Sequence, residues 1–99
     1  MRYSFEWDPS KAKENVLKHK ISFERAATIF LDAHAISIFD VEHSHDEDRW
    51  ITMGIDTAGS LLVVMHTFRH INASLCGIRV ISARKATQRE TRQYREGNP

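Results

Sequence analysis

The chain has 99 residues, 41% hydrophobic and 27% charged, with a formal net charge of +1 and one cysteine. That length supports a single domain over residues 1–99 with one core, and excludes a division into two. No apolar run is long enough for a membrane helix and the start lacks a signal-peptide pattern, so a cytoplasmic location is expected. Cys76 has no second cysteine for a disulfide or zinc knuckle and reads as a small buried hydrophobe.

Tyr3-Ser-Phe-Glu-Trp7 alternates aromatic and polar residues, the period of a short strand. Asp8 offers an N-cap oxygen and Pro9 suits a first helical position, predicting a helix from Pro9 to about His19. Ser22 caps a second helix, on which Phe23, Ala26, Ala27, Phe30 and Leu31 recur along one face. Strands are predicted over Ala35 to Asp40, Arg49 to Asp56 and Leu61 to Arg69, the last two joined by a turn at Thr57-Ala58-Gly59-Ser60. His70 to Cys76 reads as a loose connection and Gly77 to Ala83 as the last strand. Thr87 and Glu90 have capping-box spacing, so a final helix starts at Gln88. The order β-α-α-β-β-β-β-α predicts an α+β fold, with two N-terminal helices and a C-terminal helix packed on a mostly antiparallel sheet.

Charge is segregated along the chain. Asp40 to Asp48 holds five carboxylates and no lysine or arginine, whereas Arg79 to Arg95 holds six Arg or Lys against one Glu. Separate acidic and basic poles are expected, the basic one suited to nucleic acid or to an acidic protein partner. If Leu61 to Arg69 pairs antiparallel with Gly77 to Ala83, Arg69 comes close to Arg79. Two adjacent guanidiniums form a phosphate clamp, unless each neutralises a carboxylate of the acidic loop. Arg84 and Lys85, at a strand-to-helix junction, offer a further anion site. Glu90 reads as a helix cap before it reads as a base. Tyr94, one turn later, can pack on the sheet or present its hydroxyl.

On the first helix Lys11, Asn15 and His19 recur every four residues as one polar stripe, by default the wet face. A metal-independent ribonuclease needs an acid, a base and cations around phosphorus, and His19 and Lys11 are suitable residue types. His43, His45 and Asp46 have the composition of a metal cluster without its spacing, so no metal or cofactor is expected.

Phe5-Glu6-Trp7-Asp8-Pro9-Ser10-Lys11-Ala12 with Asn15, then Lys18-His19-Lys20-Ile21-Ser22-Phe23-Glu24 and Ala26, resembles the BrnT toxin family. The second half agrees: Arg49, Gly54, Val63-Val64, Thr67-Phe68-Arg69, and Ile78-Arg79-Val80-Ile81-Ser82-Ala83-Arg84-Lys85-Ala86 followed by Glu90 and Tyr94. The resemblance implies a RelE-like ribonuclease toxin of a bacterial type II toxin-antitoxin system that blocks translation. It further implies neutralisation by a BrnA-like ribbon-helix-helix antitoxin, operator DNA bound only through that antitoxin, and a complex in which a dimer is one possible arrangement. Its basic site maps onto Arg69, Arg79 and Arg84, joined by Lys11, His19 and Tyr94. Lys20 stands where the family pattern has glycine, and His66 where an aromatic such as tyrosine is common. The alternative from the residues alone is a non-catalytic basic module that binds an acidic protein or nucleic acid.

Overall fold

The computed structural model describes residues 2–97. Strand β1 (Arg2–Glu6) leads into α1 (Pro9–His19), α2 (Phe23–Ala27) and a 3₁₀ turn at Thr28–Leu31. Then come β2 (Ile36–Phe39), a 3₁₀ turn at Val41–His43, β3 (Arg49–Ile55), β4 (Leu61–Thr67), β5 (Arg69–Asn72), β6 (Leu75–Lys85) and α3 (Gln88–Glu96). The sheet runs β1-β6-β4-β3-β2, with β5 also on β6; β1 pairs parallel and all other pairs are antiparallel.

The predicted capping chemistry is present. Asp8 accepts from the Ser10 N–H at 2.8 Å and Ser22 from the Arg25 N–H at 3.1 Å, while Thr87 and Glu90 form a reciprocal capping box. Two predicted boundaries need correction. The stretch His70 to Cys76 is not a loose connection: it holds most of β5, a turn at Ala73-Ser74 and the start of β6. Leu61 to Arg69 is likewise not one strand, because the chain breaks at Phe68 and resumes pairing with β6 as β5. Local pattern could not reveal either, since β6 extends well beyond its apolar run and offers both segments a partner.

Ile21, Phe23, Ala26 and Ile29 from the helical layer meet Leu62, Val64, Ile78, Val80 and Ala83 from the sheet, all at most 1% exposed. Each large aliphatic or aromatic side chain buried there contributes about 1.5–3 kcal/mol. Gly54 permits the close approach of this layer, since a Cβ there would sit 3.1 Å from Ile29 Cβ and from its carbonyl oxygen.

Two polar groups are built into this interior. His66, fully buried, stands edge-on to Phe30, and burial holds its pKa below the ordinary imidazole range. Its Nδ1 lies 3.1 Å from the Thr67 carbonyl, which can only accept, so Nδ1 carries the proton and Nε2 accepts from the Thr52 hydroxyl at 2.6 Å. Thr52 in turn accepts from Ser37 at 2.7 Å, a chain crossing β4, β3 and β2. Asn15 is the second group. Its amide donates to the carbonyls of Ile21 and Ala83, both at 2.9 Å, and accepts from the Ala83 N–H at 3.1 Å. Asn15 therefore belongs to the interior, not to a wet stripe, and it fastens α1 to β6.

Lys20, which stands where the family pattern has glycine, ends α1 in the left-handed conformation, φ 61°. Lys20→Gly should raise stability by roughly 1 kcal/mol by removing the Cβ clash, read as a shifted urea midpoint with unchanged slope.

Candidate functional site

Strand β6 carries the arginines, and an irregularity in it decides where they point. Met65 pairs with Ser82 and His66 with Val80, which leaves Ile81 as an extra residue in β6. Before this bulge Cys76, Ile78 and Val80 are buried; after it Ala83 is. Arg79 and Arg84, whose odd spacing would put them on opposite faces of a regular strand, therefore both stand on the face away from the helical core.

Arg69 pairs with Gly77 of β6, so it opens beside Arg79 as expected from antiparallel pairing. The two guanidinium-bearing residues line one cleft of about 320 Å³ together with Glu6, Glu47, Asp48 and Thr67. Arg69 is exposed and makes no ion pair among the described residues. Arg79 donates through Nη2 to Glu47 Oε1, and the same carboxylate oxygen lies 3.6 Å from Arg49 Nη2. The acidic and basic segments thus meet in this cleft instead of forming separate poles. Ser44 makes that possible: its hydroxyl donates to the Asp40 carbonyl at 2.6 Å and accepts from the Arg49 N–H at 2.9 Å, folding the acidic loop back towards β3. His43 bonds Asp40 at 2.8 Å within that loop. Among the described residues no group of three or more His, Cys, Asp or Glu side chains is placed to hold a metal ion.

Arg84 is held differently. Its Nη1 and Nη2 donate to the two oxygens of Glu90 at 2.7 and 2.8 Å, a bidentate pair, while Glu90 Oε1 also accepts from the Thr87 N–H at 2.9 Å. The Arg84 guanidinium and the helix cap bring the Glu90 pKa down to about 2, against the opposing effect of burial. The Arg84–Glu90 and Arg79–Glu47 pairs are both partly exposed, and such pairs are worth about 0–1 kcal/mol; what sets them apart is that Glu90 is held through both oxygens and by the helix cap, whereas Glu47 meets Arg79 through a single oxygen. Tyr94 donates its hydroxyl to Asp32 Oδ2 at 2.5 Å, and burial together with that carboxylate pushes its pKa up to about 12. Its proton is committed to holding α3 against the end of the helical layer.

Lys11 and His19 flank Asn15 on α1, which packs against the core side of β6, with Ala12 on the core cluster. No hydrogen bond among the described residues joins either to an arginine of the cleft. The structure thus unites Arg69 and Arg79, places Arg84 on the same face, ties Tyr94 to Asp32 and leaves Lys11 and His19 across the sheet. Sequence reasoning did not select Glu47, Arg49 or Thr67 for the site. Glu47 was hidden inside a run of carboxylates, and nothing local distinguishes the one that folds onto β6.

A family model described as "Ribonuclease toxin, BrnT, of type II toxin-antitoxin system" matches residues 7–90. The crystal structure of the ribonuclease toxin BrnT from Brucella abortus is similar with a TM-score of 0.58 and 21% sequence identity, covering 89% of this chain and 100% of that one. At that identity the likeness is one of fold. No curated protein matches the chain.

The lowered Glu90 pKa carries a signed prediction. Stability from the Arg84–Glu90 pair is fully present above the ordinary value of 4.5 and is lost as pH falls towards about 2. Glu90→Gln should be less stable than the parent at pH 7 and should lose less on acidification through that window, read by denaturant unfolding at several pH values.

Proposed function

The chain belongs to the BrnT family of type II toxin-antitoxin ribonuclease toxins, and on that premise we propose that it is an endoribonuclease whose substrate phosphate binds between Arg69 and Arg79. The observation that carries this reading is the shared cleft of those two side chains. A phosphodiester under attack gathers negative charge on its non-bridging oxygens, and two fixed guanidiniums stabilise that charge without a metal ion. Arg84, on the same face, supports the cleft by anchoring α3 through Glu90. Cleavage of RNA would stop translation in the cytoplasm.

Neutralisation by a BrnA-like ribbon-helix-helix antitoxin, with operator DNA contacted by that partner alone, completes the reading as the resemblance implies. The exposed arginines Arg89, Arg92 and Arg95 of α3 favour an acidic segment on such a partner. The same exposed charge is what a non-catalytic binding module would present, so binding and cleavage must be measured separately.

Incubating the purified chain with naked total RNA, with and without EDTA, and separately in a translating extract without chelator, tests the reading. Cleavage that survives EDTA is expected. Arg69→Ala and Arg79→Ala should each fold as the parent does and lose about 100-fold or more in cleavage. Salt-sensitive RNA binding with no product under any of these conditions would instead support the binding module.

A further inference from the structure

We propose that Glu47 is the general base of the reaction, the group that takes the proton from the attacking 2′-hydroxyl; this rests on the RNA-cleaving reading above. Proton transfer needs a group beside the bound phosphate, and three other candidates near β6 and α3 are engaged or placed elsewhere. The Tyr94 hydroxyl is donated to Asp32, both Glu90 oxygens are held by Arg84, and His19 belongs to a helix on the opposite side of the sheet. Glu6 and Asp48 share the cleft but make no side-chain bond to its guanidiniums among the described residues.

Glu47 alone is bonded to a phosphate-holding arginine. It occupies Arg79 through Nη2, and no other side-chain donor of Arg79 is engaged among the described residues. A guanidinium presents its donors along more than one edge, so a phosphate can dock on Arg79 alongside a carboxylate and towards Arg69. Two anions sharing one guanidinium lie side by side. A ribose whose 2′-oxygen approaches phosphorus to about 3–3.5 Å then places its hydroxyl against Glu47. Arg49, 3.6 Å from the same carboxylate oxygen, keeps Glu47 at the cleft when the phosphate loosens its bond to Arg79.

The step balances without a redox partner. The 2′-hydroxyl proton passes to a Glu47 oxygen, the O2′–P bond forms, the P–O5′ bond breaks, and the departing 5′-oxygen takes a proton from water. The products carry a 2′,3′-cyclic phosphate and a 5′-hydroxyl, and solvent returns Glu47 to its carboxylate form.

Glu47→Gln preserves the size of the side chain and removes its basicity. Single-turnover cleavage by this variant should fall by about 100- to 10,000-fold, while 2′-O-methyl RNA, which cannot be cleaved by this route, should bind at least as tightly as to the parent. Glu42→Gln, which removes a charge from the same loop outside the cleft, should cleave like the parent, and circular dichroism should show both variants folded. Glu47→Gln cleaving within about threefold of the parent, or faster, would overturn the base assignment while leaving the ribonuclease reading intact. A 2′-deoxy substitution at the scissile position that is still cut would also overturn it. Failure of the parent itself to cut RNA, alone or in a translating extract, would remove the ribonuclease reading and the base with it.

Discussion

One additional residue in β6 governs the geometry of this molecule. A strand of regular alternation through Leu75–Lys85 would bury either Arg79 or Arg84 in the core, because the two lie an odd number of positions apart along the strand. The bulge at Ile81 shifts the alternation between them, so that Val80 and Ala83 both face inward and both arginines face outward. His66 lies at the same irregularity on β4, its imidazole locked by Thr52 and by the Thr67 carbonyl. Asn15 grips the backbone of Ala83 just beyond it. The irregularity is thus flanked by two buried, fully hydrogen-bonded polar side chains, and leaving any of their partners unsatisfied would cost about 1–3 kcal/mol each.

The arginines on that outer face are not equivalent. Arg84 is bound in a bidentate pair to a carboxylate that also caps a helix, and breaking that contact loosens α3 as well. Arg79 shares a half-exposed carboxylate with Arg49, and Arg69 has no ionic partner among the described residues. Exposed pairs are weak because water screens them and long side chains lose entropy in forming them. Arg69 and Arg79 therefore keep more donors unengaged among the described residues, while Arg84 is tied to α3 through Glu90.

Much of the fold could be read from local chemistry. The caps at Asp8, Ser22 and Thr87 act through side-chain oxygens reaching backbone donors two or three residues away, so their presence in sequence was sufficient to place three helix starts. The proximity of Arg69 and Arg79 followed from antiparallel pairing across a short connection. The pairing that makes β5 a strand was hidden, because Arg69–Asn72 carries little hydrophobic pattern and is ordered by β6. The polar stripe of α1 departs from a wet face at its centre for a related reason. Asn15 has the same polarity as its neighbours Lys11 and His19, but its partners lie as far away as Ala83, 68 residues along the chain.

By itself the sequence determined the helix starts, the hydrophobic faces, the family resemblance and the identity of the arginines, because these depend on spacing over a few residues. Tertiary structure decided which side of the sheet each charge occupies and which carboxylate meets which guanidinium. Those outcomes hang on one residue of strand register and on a loop folded back by Ser44. A shift of a single position reverses every side chain beyond it, and no local pattern records where that shift occurs.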